Sequence, residues 1–159
     1  MIRPTTIDDF ATLVEIARGT SVFKPLELLA LGEVLRDYER EEKHQGHVAV
    51  TYELEGNPIG FAYFAPTPMT DGTWHLYWIF VDVVTQAKGI GGKLLHHAEQ
   101  HIAELGGRIL IVETSSLPTY QLTRRFYVKH HYEQVALIPD FYADCDDMTV
   151  FRKRLGAKS

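Results

Sequence analysis

A single cysteine, Cys145, stands in the whole chain. One thiol cannot build a disulfide framework or a cysteine-based zinc site, and it suits a reducing compartment. Positive charge is also scarce, with 16 Lys and Arg against 21 Asp and Glu and a formal net charge of -5 at pH 7. A nucleic-acid binder normally presents a basic face, so this balance argues against that class while leaving room for a local groove that holds a phosphorylated ligand. No apolar run approaches the ~20 residues of a membrane span. The opening "MIRPTTIDDF" lacks a charged start followed by an apolar core, so no signal peptide is expected. Repeats, low-complexity tracts and linkers are missing too. What is left is an ordinary globular composition, 45% hydrophobic and 23% charged over 159 residues. We therefore expect one domain over residues 1–159, large enough to bury a core without staples, in the cytoplasm, with no metal and no membrane contact.

Hydrophobic periodicity orders the elements. "IRPTT" reads as a short strand, and Phe10, Leu13, Val14 and Ala17 fall at helical spacing behind an acidic start. Pro25 opens a second helix carrying Leu28, Leu29, Leu31, Val34 and Leu35. "HVAVTYEL" and "IGFAYFA" flank the turn "EGNP" as a hairpin, and "WHLYWIFVDVV" reads as a central strand. Leu94, Leu95, Ala98, Ile102 and Leu105 mark one face of a third helix that stops at Gly106 and Gly107. "RILIVETSS" is a strand, "LPTYQLTRRFYVKHH" a loop and helix, and "YEQVALI" a strand. "PDFYADCDD" then reads as a loop and "MTVFRKRL" as a closing strand. The resulting order is β-α-α-β-β-β-α-β-α-β-β: an α/β (α+β) fold with a mixed, mostly antiparallel sheet of about seven strands and about four flanking helices.

One stretch stands apart. "QAKGIGGK", Gln86 to Lys93, sets three glycines between a strand and a helix. The first N–H groups of a helix have no partner within it and carry the positive end of its dipole, so such a turn is an anion site. A dinucleotide fingerprint would place a third glycine where Leu94 stands. A P-loop would need Ser or Thr in place of Leu94 and glycine in place of Ala87. A tight turn without ligand is the remaining plain reading.

"VDVVTQAKGIGGKLL" resembles the acyl-CoA-binding motif of the GNAT acetyltransferase superfamily, with Val81, Gln86, Gly89 and Gly91 on its positions and Val83 in place of the usual proline. "RRFYVKHHYEQV" is similar to the family's helix-to-strand junction through Phe126, Tyr127, Lys129 and Tyr132, with His131 where glycine is usual. The element order is that of the family's fold over essentially the whole chain.

The resemblance implies an N-acetyltransferase that uses acetyl-CoA as co-substrate. The acyl carrier would lie along Phe80, Val81 and Val83, with the amides of Ala87, Lys88, Gly89, Ile90, Gly91, Gly92 and Lys93 around its pyrophosphate. It implies Tyr127 as the acid that protonates the departing thiolate, and backbone donors near Val81 for the developing oxyanion. The base stays open between Glu113 at the end of "RILIVE", His75 on the central strand, and no dedicated base. Phe23, Tyr77, Glu113, Asp140 and Tyr142 are the candidate acceptor contacts, for a small primary amine or amino acid. Two rivals stand beside this reading. One is a protein N-terminal or lysine acetyltransferase, against which "VETSSLPTY" lacks the "RxSN" pattern of ribosomal-protein-acetylating relatives. The other is a non-catalytic acyl-CoA sensor. Dimers are frequent in the superfamily, which leaves a homodimer open. His97 and His101, four apart, read as a solvated helix face rather than a zinc site.

Overall fold

A computed structural model describes residues 1–85 and 88–156. The elements follow in the expected order: β1 (Ile2–Pro4), α1 (Phe10–Gly19), α2 (Pro25–Arg40), β2 (Val48–Leu54), β3 (Asn57–Pro66), β4 (Thr73–Val81), α3 (Ile90–Glu104), β5 (Ile109–Ser115), α4 (Gln121–Lys129), β6 (Glu133–Ala143) and β7 (Asp146–Arg154). The strands lie in the order β1-β2-β3-β4-β5-β7-β6. Only β4 and β5, joined by the crossover through α3, run parallel among the pairs whose register is described; the others are antiparallel. This is the mixed sheet and four-helix content the periodicity implied. No helix among the described residues is long and apolar enough to cross a membrane.

The chain divides into two compact units. The first holds Met1–Pro66 and Trp78–Ala98. Its hairpin forms because Glu55 and Gly56 both take left-handed φ, the twist that a two-residue turn between right-twisted strands needs. Pro25 opens α2 with a preset φ, while the Lys24 N–H donates to Glu27 Oε1 at 3.0 Å and closes the helix start. Leu13 and Ala17 of α1, Leu31 and Leu35 of α2, and Ala49, Phe61, Tyr63 and Phe80 from strands make its core. Arg3 ties β1 down through ion pairs to Asp9 and Glu53. Its guanidinium holds the Asp9 carboxyl below the usual range.

The second unit holds Thr67–Tyr77 and Glu99–Ser159. Leu110, Val112, Met148, Phe151, Tyr127 and Tyr132 are buried in it. Glu99 is buried there with its charge satisfied: Tyr132 Oη donates to Glu99 Oε2 at 2.7 Å and Lys153 Nζ donates to the same oxygen at 3.0 Å.

Three details of the sequence reading change. Residues 139–147 are not a loop, because β6 runs on through Phe141 and Tyr142 to Ala143 and a tight turn at Cys145 returns the chain into β7. The aromatic pair extends the strand. Asp140, with φ 55, absorbs the misfit as an irregularity in register between Ile138 and Ala143. Leu29 lies exposed on α2. Leu105 leaves the buried face of α3 and is 64% exposed, since the helix has ended at Glu104 and Gly106 turns left-handed at φ 81.

Candidate active site

Alternation along β4 decides what its first half offers. Trp74 and Leu76 point into the core, which sends His75 and Tyr77 to the opposite face. Their rings stack at 5.6 Å between centroids with a 19° interplanar angle. On the parallel partner β5, His75 pairs in register with Ile111, so Glu113, two residues on, shares its face as a diagonal neighbour. His75 Nε2 and Glu113 Oε1 lie 3.2 Å apart. The histidine side chain is 19% exposed and the glutamate 42%, leaving the carboxylate reachable from solvent. Burial and the neighbouring Glu113 charge together push the Tyr77 hydroxyl above its ordinary value. Three of the sequence-predicted residues, His75, Tyr77 and Glu113, thus form one cluster.

A fourth member was not foreseen. Thr67 Oγ1 sits 2.6 Å from His75 Nδ1, so both ring nitrogens are engaged. Thr67 itself is clamped by the connection into β4: its N–H donates to Thr73 O at 2.8 Å, and Thr70 Oγ1 donates to its carbonyl at 2.8 Å. Arg108 secures the far side of that loop, its N–H donating to Gly72 O and its Nε to Asp71 O, both at 2.6 Å. An eight-residue separation across an irregular loop gives no periodic signal. Only the hairpin-like closure of residues 67–73 brings threonine and histidine together.

Tyr127 is held by the way α4 ends. Tyr132 N–H donates to Tyr127 O at 2.9 Å and His131 N–H to Val128 O at 3.1 Å, the paired bonds of a Schellman cap. The cap demands a left-handed residue, and His131 supplies it at φ 71 where glycine would do so without strain. The Tyr132 ring then lies 5.6 Å from that of Tyr127, with Phe151 5.8 Å away on β7. Tyr127 is 3% exposed, and burial pushes its hydroxyl above the ordinary tyrosine value, so it carries its proton across the neutral range.

The glycine turn belongs to the first unit. After β4, Thr85 N–H and Oγ1 both donate to Asp82 O, and Lys88 N–H donates to Thr85 O at 3.1 Å. Gly89 takes φ 71, and a Cβ there would meet nothing within 4 Å. Lys93 N–H donates to Gly89 O at 3.2 Å, the first bond of α3. By helix geometry the N–H groups of Ile90, Gly91 and Gly92 precede that ladder and have no partner within it. Lys88 and Lys93 are exposed on either side, so positive charge flanks these amides. Gln86 and Ala87 lie outside the described residues.

The remaining predicted residues scatter. Val81 and Ile90 are buried and Val83 is exposed. Phe80 is a core residue set between Phe61, tilted at 5.3 Å, and Phe23, edge-on at 5.9 Å, and Phe23 also meets Trp78 at 5.4 Å. Asp140 is occupied in its own hairpin, where Oδ1 accepts from Cys145 N–H at 2.8 Å and its N–H donates to Asp147 Oδ1. Tyr142 is an exposed ring set edge-on to Phe141 at 5.0 Å.

The chain was compared with known proteins. The profile described as the acetyltransferase (GNAT) family matches residues 13–132, more than half of the chain. None of the curated protein sequences compared with it matches. Among solved structures, a Desulfovibrio desulfuricans protein assigned to the GNAT acetyltransferases superposes with a TM-score of 0.93 at 29% identity, over 98% of this chain and 99% of that one. An aminoglycoside 6'-N-acetyltransferase in complex with coenzyme A gives 0.79 at 17% identity, over 100% and 99%. A Salmonella typhimurium protein assigned as an acetyltransferase, solved with acetyl-CoA, gives 0.73 at 19%, over 100% and 95%. The last two likenesses speak for the fold alone. The family profile, carried over most of the chain, places this protein in the GNAT family of acetyltransferases.

Proposed function

We propose that the chain, acting as one domain, transfers the acetyl group of acetyl-CoA to the primary amine of a small molecule or amino acid, directly within a ternary complex. The observation that carries this reading is the His75–Glu113–Tyr77 cluster. A solvent-facing carboxylate beside an aromatic face attracts an ammonium group and then serves as the acceptor of its proton. In this reading the pyrophosphate of acetyl-CoA binds the amides of residues 88–93 and the charges of Lys88 and Lys93. The Gly89 turn, open where a side chain would stand, supports that assignment.

The chemistry follows from the groups present. Glu113 takes one proton from the ammonium, and the freed nitrogen attacks the thioester carbon. As the C–N bond forms and the C–S bond breaks, the nitrogen gives up its second proton to solvent. The Tyr127 hydroxyl gives its proton to the departing thiolate sulfur and is reprotonated from solvent. Glu113 then releases the proton it took, so that one proton is produced for each amide formed. Tyr127 carries its proton across the neutral range, so the proton is in place when the thiolate forms.

Free-thiol release from acetyl-CoA over a panel of amino acids, polyamines and N-terminal peptides tests the proposal. Turnover is expected on small primary amines. Turnover confined to peptides would move the acceptor to proteins, and tight acetyl-CoA binding with no turnover on any amine would replace the enzyme with a sensor. Tyr127→Phe is expected to lower kcat by about 10²-fold with little change in acetyl-CoA affinity; an unaltered kcat would remove Tyr127 as the acid.

A further inference from the structure

We propose that Thr67 is a positioning residue for acetyl transfer, fixing the tautomer and ring orientation of His75 so that His75 in turn steers Glu113. The inference rests on Glu113 being the proton acceptor, as proposed above.

For a neutral imidazole the hydrogen bonds leave one consistent arrangement. A carboxylate only accepts, so the 3.2 Å contact from Glu113 Oε1 requires a proton on His75 Nε2. In a neutral imidazole the other nitrogen, Nδ1, is then a bare acceptor. At 2.6 Å from it stands Thr67 Oγ1, whose hydroxyl can donate. The reverse tautomer would set a bare Nε2 against a carboxylate oxygen, two acceptors facing each other. The relay therefore runs Thr67 Oγ1–H to His75 Nδ1, then His75 Nε2–H to Glu113 Oε1. A threonine free to rotate would impose little. Here the backbone of Thr67 is held on both sides, through its N–H to Thr73 and through Thr70 Oγ1 to its carbonyl, so the hydroxyl approaches the ring from a set direction. Tyr77 stacks on the same ring and limits its tilt. Among the described residues, Glu113 and Tyr77 are the titratable groups in contact with His75.

The consequence is functional. A donated hydrogen bond aims one oxygen of Glu113 and leaves the exposed remainder of the carboxylate for the acceptor. Second-tier partners that set a histidine tautomer are a recognised means of tuning the group it touches. Two features of the acceptor follow. It approaches from the solvent side of β4 and β5, where the carboxylate is exposed, rather than past Thr67, and it brings a cationic group to a carboxylate.

The test uses the full chain. Thr67→Val keeps the shape and removes the hydroxyl; Thr67→Ser restores the hydroxyl without the methyl. In Thr67→Val, kcat is expected to fall about fivefold to tenfold, as for one lost hydrogen bond, with KM for acetyl-CoA unchanged and Thr67→Ser returning most of the rate. Nitrogen-15 spectra, with the His75 ring assigned by comparison with His75→Gln, give a readout independent of activity. The parent protein is expected to show a protonated Nε2 and a bare Nδ1, and Thr67→Val a mixture of tautomers. A parent ring protonated at Nδ1, or a Thr67→Val protein with parental kcat and parental ring signals, would overturn the proposal. If Glu113→Gln turns over like the parent, it is the proton-acceptor reading that fails, and the ring spectra still decide whether Thr67 sets the tautomer.

Discussion

The turn that opens α3 and the cluster on β4 and β5 are built from opposite materials. In the function proposed above, the groups that matter at the turn are backbone amides, and the side chains matter chiefly by being small or missing. On the strands the backbone is occupied in the sheet, and what the same proposal offers an acceptor is side chain: His75, Tyr77, Glu113 and, behind them, Thr67. A backbone site recognises what every member of a ligand class shares, and can stay the same while the side-chain chemistry diverges. A side-chain site is rewritten by single substitutions. The contrast predicts that damage at the turn shows in KM for the acetyl donor, whereas damage in the cluster shows in kcat.

The largest expected effect is therefore Glu113→Gln. It retains the size of the side chain but cannot take up a proton, and kcat on the best amine should fall by about 10²–10³-fold while KM for acetyl-CoA stays put. Steady-state kinetics with both substrates varied would show it, and a matching loss in both parameters would erase the distinction between the two regions. Next comes Gly89→Ala. No atom stands within 4 Å of the added methyl, so sterics cost nothing and the whole penalty is conformational. A left-handed φ costs an L-residue about 1–2 kcal/mol, which the turn relieves by shifting its amides. KM for acetyl-CoA should rise about fivefold to tenfold with kcat nearly intact, because 1.4 kcal/mol corresponds to about a tenfold change. A fall in kcat with unchanged KM would show that the turn does more than hold the donor.

How much of this was legible in the chain follows the same division. Element order came from periodicity, and "QAKGIGGK" announced itself because glycine density is a direct record of backbone demand. The face shared by His75 and Tyr77 was readable from period two. That Glu113 joins them was not, because it depends on the β4–β5 register, and a shift of one residue would send Glu113 to the other face. Thr67 left no trace, since its approach to His75 depends on a loop closed by Thr70 and Arg108. The strand through Phe141 and Tyr142 was masked by Pro139 and a crowd of aspartates, residues that elsewhere mark turns; here Asp140 absorbs the irregularity and its aromatic neighbours continue the ladder.

The smallest expected effect tests the case where the two materials meet. Tyr127 is a side chain, yet a backbone motif at the end of α4 places it: the cap bonds from Tyr132 and His131 to Tyr127 and Val128. The motif asks only for a left-handed residue at position 131, and His131 meets it under strain at φ 71. His131→Gly should keep both bonds and relieve the strain, less the extra entropy that glycine loses on folding, for a net gain of about 0.5–1 kcal/mol. At this chain length that is a rise in Tm of about 1–4 °C, readable by calorimetry. Because the backbone geometry and the ring contacts of Tyr127 with Tyr132 and Phe151 are unaltered, kcat should not move. A stabilised protein with a lower kcat would mean that the histidine itself reaches the chemistry. That outcome would move position 131 from the backbone-built class into the side-chain-built one.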